Sequence, residues 1–170
     1  MKILFDYNKK AGKKFEPSVV DTISELMPQS IHFQFVDIRK FDQYNTDSFD
    51  RLVAIGGDGT VNTVAKRAYE QQKVLGIIPK GSGDGLARFL GISRTIHAAV
   101  NILLHGKVVA IDTAHVDHAF FVNVAGAGFE AEIAHKFGAS GIRGLQGYAK
   151  TIIESFGSRE EKNITLTIDG

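Results

Sequence analysis

Two glycine-rich turns constrain this chain more than any other feature. The first lies in LVAIGGDGTVNTVAKRAYEQQ (residues 52–72), where an apolar run stops at Gly56 and Gly57 and a helical pattern follows Asp58, Gly59 and Thr60. The second lies in VLGIIPKGSGDGLARFL (residues 74–90), where another apolar run passes Pro79 into Gly81, Gly83 and Gly85. A buried strand that ends in bare main chain and feeds a helix is the βα junction of an open α/β sheet. Ligands of such sheets sit at the carboxyl ends of the strands. Two junctions in succession predict one crevice lined from both sides by backbone amides.

The remaining pattern supports that architecture. KILFDY (Lys2–Tyr7) reads as a first buried strand running into the polar loop NKKAGKK. Pro17 suits the first turn of a helix reaching about Leu26, and Pro28 stops it. Residues 31–37 alternate apolar and polar, as in a strand with one covered face, and 51–55 form a fully apolar strand. Val61, Val64, Ala65 and Ala68 recur at helical spacing over 61–72, with Thr60 or Asp58 as the expected cap. Residues 74–79 are a fourth strand, 86–90 a short helix, and 95–105 a longer helix closed by Gly106. Residues 1–106 are therefore expected to form an open, mostly parallel sheet with flanking helices.

After Gly106 the character changes. VVAIDTAHV and AFFVNVAG flank Asp117 and His118, which predicts a β-hairpin. LQGYAKTIIESF is helical in pattern, NITLTID reads as a strand, and GASGIRGLQG as a connector or lid. A boundary is expected near Lys107, with residues 107–170 beginning a β-rich second domain that needs further strands to be complete.

Composition narrows the function. Among 170 residues, 44% are hydrophobic and 23% charged, as in a globular protein. Twenty basic residues against nineteen acidic ones give no field that favours nucleic acid. Without cysteine there is neither a disulfide framework nor a thiolate metal site. No window is apolar enough to span a bilayer, and the amino terminus lacks a signal-peptide pattern. Cytoplasmic residence, with peripheral membrane contact at most, is the expectation.

The first turn has an identifiable chemistry. Gly56, Gly57 and Gly59 allow backbone to approach a ligand with no Cβ in the way. The helix behind them offers unpaired amides and a dipole that favours an anion, and the Thr60 hydroxyl can add a hydrogen bond. Asp58 is the odd member, because a carboxylate repels phosphate. Holding Mg²⁺ or accepting a proton from an attacking hydroxyl would remove that conflict. A tight turn capped by an aspartate would use the same residues. The second turn, with Ser82 among its glycines, favours the phosphate reading. Other phosphate and hydrolase signatures are absent: no Walker P-loop, no dinucleotide spacing, no nucleophile elbow and no H-E-x-x-H. His115 and His118 flank the expected hairpin turn and suit solvent better than a metal.

The strings GGDGTVNTV, LGIIPKGSGDGLARFLGI and AIDTAHVDHAFFVNVAGAGFEAEI resemble the diacylglycerol kinase catalytic domain, a family that includes bacterial lipid kinases and sphingosine kinases. The resemblance implies transfer of the γ-phosphate of ATP, with Mg²⁺, to the hydroxyl of diacylglycerol or a sphingosine-like lipid. Carried over by position, Asn8 and Gly12 belong to a nucleotide loop. Gly56, Gly57, Gly59 and Thr60 hold phosphates, with Asp58 near the reacting hydroxyl. Gly81, Ser82 and Gly83 close over ATP, Arg88 supplies positive charge, and Asp112 faces the lipid head group. Asp58 and Asp84 are the candidate metal ligands. Lys9 stands where the family usually has proline, and Asp84 where it usually has asparagine. Asp169-Gly170 matches an earlier strand of the second domain, not the family's late Asp-Gly-Glu motif. The implied partners are ATP and a lipid alcohol at a membrane surface, and a homodimer is compatible. An NAD kinase-like enzyme, which shares a GGDGT loop, and a nucleotide-binding fragment without catalysis are the alternatives.

Overall fold

The computed structural model describes residues 1–8 and 17–126, with isolated positions beyond. Gly12, and all but isolated positions of the segments read as connector, helix and strand over 138–170, lie outside the described residues. The chain divides into two compact units, Met1–Asn123 and Val124–Gly170.

The first unit is built on four parallel strands: β1 (Lys2–Tyr7), β2 (His32–Asp37), β3 (Arg51–Gly56) and β4 (Val74–Pro79), in the order β2-β1-β3-β4. The central strands β1 and β3 are buried along almost their whole length, as their apolar runs, broken in β1 only by Asp6, require. The edge strand β2 keeps the alternating burial that its sequence alternation predicts.

Helices cover both faces. α1 (Pro17–Leu26) and α5 (Ile96–His105) place Val19, Ile23, Ala99, Val100 and Leu103 over Ile3, Phe5, Val53, Ile55 and Ile78. On the other face, α3 (Asp58–Glu70) packs Val61, Val64 and Ala68 against Leu4, Leu52, Ala54 and Ile77. α2 (Ile38–Phe41) and α4 (Gly85–Phe89) add Phe41, Leu86 and Ala87 to that side. The short turn α2 is not evident in the sequence pattern. It forms because the Asp37 carboxylate accepts the Arg39 amide at 3.1 Å, capping the turn.

Two expectations need correction. Helix α3 begins at Asp58, so Gly57 is its N-cap and no side chain caps it, neither Thr60 nor Asp58. The reason is competition: the Asp58 carboxylate is occupied by the second glycine turn, and Thr60 packs back against Gly56. Residues 108–113, expected as strand, have no regular structure, and Val108 and Val109 are 63% and 57% exposed. No described strand lies beside them to complete a ladder, and β-propensity alone does not form one. The predicted hairpin forms as β5 (Ala114–Val116) and β6 (Ala119–Phe121), with Asp117 in the left-handed region at φ 51°. It belongs to the first compact unit, where Asn62 Nδ2 donates to the Phe120 carbonyl at 2.9 Å and Phe120 packs on Tyr69.

Candidate active site

The chain leaves β1, adds β2 on one side, and returns to place β3 on the other side of β1. The crevice outside the carboxyl ends of β1 and β3 is therefore the topological switch point, where open sheets bind ligands. Asn8 follows β1 directly, and its amide donates to the Ile55 carbonyl at 3.3 Å. Its side-chain Nδ2 lies 3.5 Å from Thr60 Oγ1, the outer limit of a hydrogen bond. The Thr60 side chain is buried, and a Cβ added to Gly56 would sit 2.5 Å from its hydroxyl oxygen. Gly56 is thus glycine because the first turn of α3 folds over it.

The second turn lies against the first. The Lys80 amide donates to the Gly56 carbonyl at 2.8 Å, extending the β3–β4 pairing past the strand ends. Beyond it, a Cβ on Gly57 would stand 3.0 Å from the Gly81 Cα, so the two turns cross main chain to main chain. Gly59 is different: a Cβ there would meet nothing within 4 Å. The amino end of α3 therefore has no side-chain cap and opens onto free space at Gly59. Unpaired amides and the helix dipole at such an end favour an anion.

Asp58 joins the turns. One carboxylate oxygen accepts the Asp84 amide at 3.0 Å and the other accepts the Gly85 amide at 2.7 Å. The acid at the centre of the first turn is thus a clamp on the second. Each oxygen accepts one of these bonds, and a carboxylate has about four acceptor positions, so the exposed Asp58 keeps capacity toward the crevice.

Asp84 faces inward instead. It adopts a left-handed conformation, φ 54° and ψ 44°, which aspartate and asparagine reach more readily than other side chains. Its Oδ1 accepts the Gly81 amide at 2.8 Å, and Oδ2 pairs with Arg94 Nε at 3.1 Å. The same guanidinium donates through Nη2 to the Gly81 carbonyl at 2.6 Å. Ser82 and Gly83 are exposed on the turn, as is Arg88 on α4. Asp112 is exposed on the irregular segment before β5, with no hydrogen bond or ion pair to another described residue.

Three features were not identified from sequence. Arg94 sits in GISRTI, which carries no motif, although a cation nearby offsets the cost of keeping a buried aspartate charged. Asn123 comes from FFVNV, and a Cβ on Gly85 would stand 2.5 Å from its Nδ2, which brings the segment after β6 to the rim of the site. Asp6, two residues before Asn8, is fully buried on β1 with neither carboxylate oxygen hydrogen-bonded. Burial, reinforced by the negative charges of Asp37 and Asp42, raises its pKa to about 8. An acid inside an otherwise apolar strand was the only sign of it. A separate apolar cavity of about 620 Å³ lies along β4, between Tyr69, Ile77, Leu103, Val109 and Val122, and the glycine turns do not line it.

With this geometry in hand, known proteins bear on the site. The family model of the diacylglycerol kinase catalytic domain matches residues 2–116. The chain belongs to that family. The matched span holds Asn8, both glycine turns and Arg94, and ends before Asn123. A diacylglycerol kinase of Bacillus subtilis is 37% identical over 90 residues, covering 51% of this chain and 30% of that protein. A diacylglycerol kinase of Staphylococcus saprophyticus is 26% identical over 140 residues, covering 76% of this chain and 46% of that protein. A crystal structure of a diacylglycerol kinase from Bacillus anthracis superposes with a TM-score of 0.53 at 25% identity, over 66% of this chain and 42% of that one. The chain thus spans less than half the length of these relatives.

Proposed function

We propose that this chain carries the nucleotide site of a lipid kinase, which transfers the γ-phosphate of ATP to the hydroxyl of diacylglycerol or a sphingosine-like lipid. The observation that carries the reading is the uncapped amino end of α3, open at Gly59 and crossed by a second glycine turn at the switch point. Membership of the diacylglycerol kinase family supports the same chemistry.

In this reading the amides of Asp58, Gly59 and Thr60 receive phosphate oxygens, and Asn8 fixes the Thr60 hydroxyl. The second turn, through Gly81, Ser82 and Gly83, closes over the phosphates, and Arg88 adds positive charge at their edge. Phosphoryl transfer depends mainly on positioning and charge neutralisation, which fixed amides supply without reorganising. Asp58 would stand beside the incoming lipid hydroxyl and accept its proton. Mg²⁺, when bound, would neutralise phosphate charge. Asp58 fits such an ion because it is exposed with acceptor positions to spare. Asp84 does not, because its side chain is 1% exposed, with Oδ1 accepting the Gly81 amide and Oδ2 facing the Arg94 guanidinium. Among the described residues no three carboxylate or histidine side chains converge as a metal cage, so the ion would arrive on the nucleotide. Residues 107–170 would begin the β-rich domain that receives the lipid, with Asp112 toward its head group and contact with the membrane peripheral. No described helix is long and apolar enough to cross a bilayer.

The test is an ATP titration by calorimetry beside a transfer assay with labelled ATP and diacylglycerol in mixed micelles. Saturable ATP binding and a labelled lipid product are expected. Binding without product would reduce the function to a nucleotide-binding module. A product formed on NAD instead of lipid would support the NAD kinase-like alternative, and absence of ATP binding would overturn the reading altogether.

A further inference from the structure

We propose that Arg94 is a positioning residue of the nucleotide site, bracing the second glycine turn as the counter-charge of Asp84. The inference rests on the ATP-site reading above and extends it to a residue outside both glycine strings.

The argument starts from Asp84. Its side chain is 1% exposed, and keeping a carboxylate so enclosed charged costs free energy that a nearby cation offsets. The Gly81 amide satisfies Oδ1, closing the turn from Asp84 back to Gly81. Within the turn nothing reaches Oδ2. Arg94, from the connection between α4 and α5, sets its Nε 3.1 Å from Oδ2 as an ion pair without hydrogen-bond geometry, and donates through Nη2 to the Gly81 carbonyl. Both polar groups of Gly81 are then engaged, its amide by Asp84 and its carbonyl by Arg94. Asp58 holds the far end through the Asp84 and Gly85 amides. Ser82 and Gly83 form the exposed middle of the turn, and among the described residues their amides donate no hydrogen bond. The bracing therefore fixes the ends of the turn and leaves the middle amides presented outward, as a phosphate requires.

Arginine suits the task because its fork reaches two acceptors at once, whereas a lysine ammonium is a single point of charge. An asparagine at 84, the residue the family usually has, would accept the Gly81 amide without requiring a cation. Arg94 thus matters because residue 84 is an aspartate, and the two should be thermodynamically coupled.

The test uses the full chain and four variants: Arg94→Ala, Arg94→Lys, Asp84→Asn, and Arg94→Ala combined with Asp84→Asn. ATP affinity is read by calorimetry, and amide hydrogen exchange is read at Gly81. Removing Arg94 from the wild type should weaken ATP about tenfold or more, and removing it from the Asp84→Asn background about threefold or less, a non-additivity expected of direct partners. Arg94→Lys should fall between. Exchange at Gly81 should accelerate in Arg94→Ala and slow again in the double variant. Equal losses in the two backgrounds would overturn the proposal, as would an unchanged Gly81 amide in Arg94→Ala. If Arg94→Ala does not fold, a double variant that folds and binds ATP supports the coupling, and one that does neither refutes it. If the wild type binds no ATP, the nucleotide reading fails, and Gly81 exchange alone decides whether Arg94 braces the turn.

Discussion

Gly57 and Gly81 touch through their main chains, and that contact makes one site of two turns. A Cβ on Gly81 would collide with the Gly57 Cα and stand 2.6 Å from Asp84 Oδ1. Neither neighbour is the free end of a flexible side chain, so relief requires moving a turn. Gly81→Ala should therefore cost about 2 kcal/mol or more of stability, in the range for overpacked sites. Gly57→Ala, with a single 3.0 Å approach to Gly81 Cα, should cost less. Urea denaturation of the two variants checks the order.

Gly59 separates stability from binding. It lies in the first turn of α3 with open space where a Cβ would go. Alanine there should be neutral or stabilising by up to about 1 kcal/mol, since glycine is the poorer helix former. Its methyl group would nevertheless occupy the space assigned to phosphate. Gly59→Ala should melt at or above the wild-type temperature while losing ATP affinity about tenfold or more. A variant that binds ATP normally would place the phosphates elsewhere.

Asp58 has two roles to separate. As a clamp it accepts two amides at 3.0 and 2.7 Å, and hydrogen bonds to a charged acceptor contribute about 1.5–3 kcal/mol. Asp58→Ala should thus lose measurable stability as well as turnover. Asp58→Asn keeps one acceptor oxygen and removes the charge. It should retain more stability than the alanine variant, yet lose turnover about as completely if the carboxylate accepts the lipid proton, a step typically worth about 10²–10⁴-fold. If Asp58→Asn instead raises KM for ATP and leaves kcat intact, the residue is a clamp only. Steady-state kinetics beside denaturation curves resolve the cases.

Much of this arrangement can be read from the sequence, for identifiable reasons. Largely apolar runs at Lys2–Tyr7 and Arg51–Gly56 announce central strands, and the alternation in His32–Asp37 announces an edge strand. Glycines that end strands locate the crevice, because only backbone geometry demands them there. What was not legible depends on contacts without a spacing rule. The Asp84–Arg94 pair crosses ten positions between a turn and a connection, and nothing local specifies it. The engagement of Asp58 with the Asp84 and Gly85 amides depends on how two turns cross, which follows from the register of β3 on β4. Residues 108–113 have strand composition and no strand, because pairing is decided by neighbours and not by propensity.

Asp6 gives the last prediction, one of pH dependence. Its carboxyl is fully buried on β1, pairs in register with Val36 and Ala54, and has no hydrogen-bond partner. Burial and the neighbouring Asp37 and Asp42 raise its pKa to about 8, against about 3.9 for an unfolded aspartate. Between those values the folded chain keeps a proton that the unfolded chain releases, so folding stability falls as pH rises from about 4 to about 8 and levels off above. From pH 5 to pH 7 this single group should remove about 1–3 kcal/mol. Asp6→Asn cannot ionise and retains polar atoms of similar size. It should flatten the slope, so that wild type and variant are closest near pH 4 and the variant is the more stable at pH 8. Thermal unfolding of both proteins across that range measures the difference directly. Parallel curves would mean that the Asp6 carboxyl ionises alike in the folded and unfolded chain.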